Sequence, residues 1–152
     1  MVAGAPNLAR GYHRRPHEDA FADGWFRTGD LARIDGDGFY EIVGRAKELI
    51  ISGGENIYPA EIENIALADA AVAQAAVLAL PDERWGEVAV QAVVPRAGHA
   101  IDTRRLHAAF EATLAHFKHP RRIVVLDALP KTALGKVRKA DLAIDLQQAP
   151  DP

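Results

Sequence analysis

The chain has 152 residues, no cysteine, a formal net charge of −3 and a hydrophobic fraction of 49%, enough apolar material for one packed domain with or without a short piece of another. The slightly acidic balance argues against a nucleic-acid surface, which needs clustered excess Lys and Arg, and the missing cysteines exclude disulfides, thiolate catalysis and cysteine-bound zinc. No apolar run is long enough to span a bilayer and residues 1–15 lack the apolar centre of a signal peptide, so no transmembrane segment and a cytoplasmic location are expected.

Residues 1–24 are rich in Gly, Pro, Arg and His and follow neither hydrophobic period. Irregular chain is expected there, with further chain upstream. The short basic run His13–Arg15, followed by Pro16, reads as solvated loop. Leu31 to Ile34 and Phe39 to Val43 are strand-like runs on either side of Asp35-Gly36-Asp37-Gly38, the composition of a tight hairpin. A second turn, Gly53-Gly54-Glu55-Asn56, follows the apolar run Leu49 to Ile51.

Pro59 suits the first position of a helix, where its missing N–H costs nothing, and Glu61 and Glu63 favour the positive helix start. That helix is expected over residues 59–68. Val72 to Leu80 has the length of a buried strand, and Val88, Val90, Ala92 and Val94 alternate with Ala89, Gln91 and Val93 at the strand period. Asp102 caps a helix whose apolar residues Leu106, Ala109, Phe110, Thr113, Leu114 and Phe117 share one face, ended by His119-Pro120. Ile123 to Leu126 gives another strand, Pro130 to Lys136 a flexible loop, and residues 137–146 a second helix before a frayed tail. The class expected is α+β: a small domain of about three main strands covered by helices, plus a β-hairpin.

Generic nucleotide signatures fail. Val137 follows Gly135-Lys136 where a P-loop has Ser or Thr, Gly36-x-Gly38 lacks the third glycine of a dinucleotide fingerprint, and Ala46 stands where a calcium loop starting at Asp35 needs Glu. His13 and His17 have the spacing of a helical metal pair, but Pro16 between them breaks the helix that would align them, so no metal site is expected.

Three segments remain: Gly24-Trp25-Phe26-Arg27-Thr28-Gly29-Asp30, then Gly44-Arg45-Ala46-Lys47-Glu48 through Pro59-Ala60-Glu61-Ile62-Glu63, then Pro130-Lys131-Thr132-Ala133-Leu134-Gly135-Lys136. In order and spacing they closely resemble the last third of the adenylate-forming enzymes, which include acyl-CoA and aryl-CoA synthetases, luciferases and the adenylation domains of peptide synthetases. The resemblance runs from about Pro6 to Leu146. It implies an ATP-dependent acid:CoA ligase that activates a carboxylic acid as an acyl-adenylate and then passes the acyl group to a thiol. ATP and CoA are the implied cofactors, with Mg2+ expected through ATP and the missing N-terminal domain.

By this resemblance Asp30 anchors the nucleotide ribose, since a carboxylate can accept from both neighbouring hydroxyls; in isolation it would be a turn-forming Asp after a Gly. Arg45 suits ribose or phosphate oxygens, though alone it would be a surface ion-pair residue. Lys47 matches the family's hinge and need not touch substrate. Lys136 is implied as the catalytic residue, an ammonium that lowers the repulsion between carboxylate and α-phosphate; singly, it would be an exposed lysine beside Arg138 and Lys139. Gly53 and Gly54 match a loop lining the pantetheine tunnel, where missing side chains let a ligand pass close to the backbone, and a plain tight turn explains them equally well. Trp85 either borders CoA or packs in the core.

The family's large N-terminal domain, with its phosphate loop and acid pocket, has no counterpart in these residues. Residues 1–43 are therefore read as a remnant of that domain, 44–146 as the mobile lid and 147–152 as a tail, and the chain alone is expected to be inactive. Smaller departures are Glu48 where Asp is commoner and Leu134 where Ser is frequent. A different class stays open: a non-catalytic module docking a phosphopantetheinyl carrier protein or a partner subunit. A degenerate gene product is a third alternative.

Overall fold

The computed structural model describes residues 2–3, 6–9, 11–13 and 20–149. Arg14, Arg15, Pro16 and His17 lie outside them, and with them part of the basic run and of the histidine pair, as do residues 150–152 of the expected tail. The chain divides into two compact units, Met1–Lys47 and Glu48–Pro152.

The first unit contains more order than its composition suggests. Strands β1 (Val2–Ala3), β2 (Phe21–Ala22) and β3 (Trp25–Phe26) form a small antiparallel sheet with β3 in the middle. Two-residue strands are too short to display a period, which is why this stretch reads as irregular. The local signal is the turn: Asp23 and Gly24 both take positive φ, 51° and 79°, as a two-residue hairpin of the primed kind requires. The rings of Phe21 and Phe26 meet at 4.9 Å. The hairpin expected around Asp35 is present as β4 (Asp30–Ile34) and β5 (Tyr40–Arg45). Its turn is held by Asp35, whose Oδ1 accepts the N–H groups of Asp37 and Phe39, each at 2.9 Å.

The second unit is the α+β domain. Strands β6 (Ile50–Ser52) and β7 (Glu55–Ile57) make a short hairpin, α1 (Pro59–Leu67) follows, and β8 (Val72–Asp82) and β9 (Gly86–Pro95) pair antiparallel along their whole length. After α2 (Thr103–Thr113), β10 (Arg122–Val125) joins β9 in parallel, and α3 (Lys139–Gln148) closes the chain. Strand β9 is thus central, with β8, β10 and, through Ser52 opposite Gly86, β6 beside it.

Both faces of this sheet are buried, and apart from Gln91 the buried residues of β9 are apolar on both sides. Ala89 and Val93 pack with Val72 and Val77 against Ile62 and Ala66 of α1 and Leu106 and Phe110 of α2. Val90, Ala92 and Val94 pack with Leu78 and Leu80 against Leu129 and against Leu142 and Leu146 of α3. The alternation along β9 is therefore a division between two helical layers. Lys118 pairs with Glu61 at 2.6 Å and Arg105 with Asp69 at 2.6 Å, tying the segments around α2 to α1.

Two helices differ in extent from the sequence reading. The Asp102 cap is as expected, with Oδ1 accepting the N–H groups of Arg104 and Arg105, but α2 stops at Thr113. Leu114 is extended (φ −118°, ψ 149°) and a single 3-10 turn spans His116–Lys118. Continuing the helix would have placed Phe117 on the buried stripe; instead it is 43% exposed. The chain leaves the helix early, and the next segments bring Lys118 to Glu61 and β10 to the edge of β9. The last helix begins at Lys139 rather than at Val137, because Val137 is engaged in a β-bridge with Lys131. It also continues through Gln148, so part of the expected tail is helical.

Candidate functional site

Asp30 and Arg45 are brought together. They face each other across the β4–β5 ladder, and Arg45 Nε meets Asp30 Oδ1 at 2.7 Å while Arg45 also donates to the Thr28 carbonyl at 3.1 Å. Thr28 in turn accepts the Asp30 N–H on its hydroxyl at 3.1 Å, and Ala46 N–H reaches the Gly29 carbonyl at 2.8 Å. Gly29 has φ +77°, a left-handed turn that aims the following Asp30 along the strand. Each carboxylate oxygen has more than one lone pair, so the bond to Arg45 still leaves acceptor capacity for a ligand diol.

Lys47 sits in the 3-10 turn Ala46–Glu48 with its side chain exposed, and it is the last residue of the first unit.

Gly53 and Gly54 form the β6–β7 turn, with φ of 58° and 88°. They are not equivalent. A Cβ on Gly53 would stand 2.6 Å from Cε3 of Trp85, whereas one on Gly54 would meet nothing. Gly53 N–H also donates to the Trp85 carbonyl at 2.9 Å. The space left by the absent Gly53 side chain is therefore filled by an indole ring. Trp85 is presented by the β8–β9 turn, where Asp82 Oδ1 accepts the N–H groups of Trp85 and Arg84 at 2.9 Å each. Those two bonds, Trp85 first, hold the Asp82 carboxyl below its usual range. The Arg84 guanidinium lies 4.7 Å over the ring.

Beside Trp85 is a cleft of about 260 Å3 whose wall includes Gly53, Phe117, His116, His119 and Arg121. Apolar ring faces next to a permanently charged guanidinium suit a ligand that is part apolar and part anionic. Phe117, His116, His119 and Arg121 escape the sequence reading, since helical periodicity assigns Phe117 to the core. The clue available was the density of cationic and aromatic residues immediately before Pro120.

Lys136 stands at the end of a loop that is closed by its own hydrogen bonds. Thr132 N–H donates to the Lys136 carbonyl at 2.8 Å, Gly135 N–H to the Thr132 carbonyl at 2.9 Å, and Arg138 N–H to the Pro130 carbonyl at 2.8 Å. Gly135 takes φ +80°, which closes a short hairpin loop at no steric cost. Lys136 is exposed and does not line the cleft beside Trp85. Just beyond, Lys139 pairs with Glu48 at 2.9 Å. Glu63, whose carboxylate accepts the Val77 N–H at 2.8 Å, has its pKa pushed up by burial, against the pull of that bond and of Lys139.

His13 is exposed, and among the described residues no group of three or more His, Asp or Glu side chains is arranged to hold a metal ion. Nor, among them, is any helix long and apolar enough to cross a membrane.

Residues 61–136 match the family model for the AMP-binding enzyme C-terminal domain. Indoleacetate–CoA ligase from Aromatoleum aromaticum is 49% identical over 144 residues, which cover 93% of this chain and 28% of that protein. Feruloyl-CoA synthase from an Amycolatopsis species is 45% identical, covering 93% of this chain and 29% of its own length. Among solved structures, o-succinylbenzoate CoA synthetase from Bacillus subtilis, in complex with its acyl-adenylate intermediate, superposes with a TM-score of 0.82 at 38% identity, covering 96% of this chain and 29% of that one. The chain thus spans less than a third of the length of these relatives. It belongs to the family of AMP-binding enzyme C-terminal domains.

Proposed function

We propose that the chain is the C-terminal portion of an ATP-dependent acid:CoA ligase, with residues 1–43 as the last stretch of its acid-activating domain, 44–146 as the mobile lid and Lys47 as the hinge. The observation that carries this reading is the presentation of Lys136: an exposed ammonium at the end of a hydrogen-bonded hairpin, inside the matched region. On its own the chain is expected to be inactive, since the acid pocket and phosphate loop belong to the other domain.

In the first half-reaction a carboxylate oxygen bonds to the α-phosphorus of ATP while the bond to the β-phosphate oxygen breaks, releasing pyrophosphate. Both reactants are anions. Lys136 offsets their repulsion as they approach, an electrostatic contribution largest in a site closed to water. Asp30, oriented by Arg45 and Thr28, accepts the ribose hydroxyls. In the second half-reaction the thiol sulfur of CoA attacks the acyl carbonyl and AMP leaves. The cleft beside Trp85 and Phe117, with Arg121 at its wall, is of a size for part of CoA rather than all of it. Mg2+ would arrive on the ATP phosphates; no residue of this chain is assigned to it. The relatives act on aryl and fatty acids by their names, and the residues that would choose among acids lie outside this chain.

The decisive experiment joins the chain to the acid-activating domain of a relative and follows the two half-reactions separately. Lys136→Ala is expected to slow acyl-adenylate formation by about a hundredfold or more while leaving thioester formation from preformed adenylate intact. Equal loss in both steps would remove the assignment. Titration of the 152-residue chain with a phosphopantetheinyl carrier protein tests the other class: tight binding without turnover in the joined enzyme would favour a docking module.

A further inference from the structure

Thr132 makes three hydrogen bonds, all inside the lysine loop. Its N–H donates to the Lys136 carbonyl at 2.8 Å, its carbonyl accepts the Gly135 N–H at 2.9 Å, and its Oγ1 accepts the Lys136 N–H at 3.2 Å. Both backbone groups of Lys136 are thus held by one residue. The fold does not need the hydroxyl for this unit to close. Thr132 is exposed, the core that anchors the neighbourhood is Leu129, Leu142 and Leu146, and the base of the loop is already fixed by the bridge between Lys131 and Val137 and by Arg138 N–H to Pro130.

We propose that Thr132 is the positioning residue of Lys136: its hydroxyl locks the backbone from which the ammonium is delivered, so that only the lysine side chain has to be ordered when the loop meets its substrates. This rests on the reading that Lys136 serves adenylation. A lysine side chain has several freely rotating bonds, and an ammonium displaced by about an ångström loses much of its effect on a developing charge. In water the bond to Thr132 competes with solvent and contributes little to folding; in a site closed to water it is stronger, and it acts where the geometry matters.

Thr132→Val keeps the branched shape and the backbone bonds but removes the acceptor, whereas Thr132→Ser keeps it. In the chain joined to an acid-activating domain, Thr132→Val is expected to lower kcat for acyl-adenylate formation by about tenfold, with KM for acid and ATP unchanged, and Thr132→Ser to restore it. Thioester formation from preformed adenylate should not change. In the 152-residue chain, hydrogen exchange at the Lys136 amide should accelerate in Thr132→Val while exchange at the buried Leu142 does not. Parental adenylation by Thr132→Val, alongside an inactive Lys136→Ala, overturns the positioning role and leaves the reading of Lys136 standing. Full activity of Lys136→Ala overturns that reading itself. A defect that Thr132→Ser fails to rescue, or faster exchange at Leu142, shows that the hydroxyl does not act on Lys136 and also overturns the proposal.

Discussion

The two units are stabilised by different means. In the second, apolar side chains from every helix close over both faces of β9, and Phe110, Ile62, Val93, Leu142 and Leu146 are fully out of water. In the first, no residue whose burial is described is buried to that degree; Phe39 and Tyr40 are 72% and 75% exposed, and Ile34 and Ile42 also face solvent. Turn chemistry and ion pairs shape the first unit, through Asp35 at the hairpin and Arg45 on Asp30. Local hydrogen bonds can specify a hairpin, but a hairpin without an apolar face to bury has little to offset its ordering entropy. The unit bearing Asp30 and Arg45 thus has its geometry written locally, while the unit bearing Lys136 has its own core.

Truncation at matched aromatic positions breaks this contrast most directly if it is wrong. Phe110→Ala should cost about 3 to 5 kcal/mol of unfolding free energy, through lost burial and a cavity. Phe39→Ala should change it by no more than about 0.5 kcal/mol. Denaturant unfolding of both variants measures the difference, and equal losses would mean the first unit carries a core after all.

Glycines sharpen the point at a smaller scale. Gly53→Ala combines a left-handed backbone with a Cβ driven into the Trp85 ring, and should cost about 2 to 4 kcal/mol. Gly38→Ala in the first unit has φ +88° but open space around it, so only the backbone penalty of about 1 to 2 kcal/mol applies. Removing the ring as well, in Gly53→Ala with Trp85→Ala, should recover part of the steric loss but not the backbone part. Purely additive losses in that pair would show that the ring does not press on residue 53.

The smallest expected effects are electrostatic. Because burial raises the Glu63 pKa in the folded chain, the folded state holds its proton more tightly than the unfolded state. Stability contributed by Glu63 therefore falls as pH rises from the ordinary glutamate range through the raised value. Glu63→Gln keeps an acceptor for the Val77 N–H and should be more stable than the parent at neutral pH, with the gap closing as the solution is acidified. A gap that widens on acidification would reverse the sign. Glu41→Gln, which breaks the exposed pair with Arg33, should change stability by less than about 1 kcal/mol.

Much of the scaffold was legible because the deciding interactions are local. Asp35 bonds its own turn, Asp102 caps its own helix, Pro59 opens the next element, and the alternation along residues 88–94 marks a strand without knowledge of its neighbours. The candidate site was legible only through the resemblance of three motifs, since Asp30, Arg45 and Lys136 taken singly are ordinary polar residues. The geometry around them was not legible: that Arg45 holds Asp30, that Trp85 rather than open space covers Gly53, and that Thr132 closes on Lys136.

By itself, then, the sequence determined the turns at Asp35 and at Gly53, the Asp102 cap, the strand pairing of the β4–β5 hairpin and the family. Tertiary structure alone decided where α2 gives way to the 3-10 turn that turns Phe117 into a cleft, and that β10 runs parallel to β9. It also decided that Gln91, in the middle of the central strand, is fully buried with neither amide atom partnered among the described residues. Turns and caps are settled between residues a few positions apart, where the chain can only fold one cheap way. Helix ends, clefts and buried amides are settled between segments distant in sequence, where packing outweighs local preference.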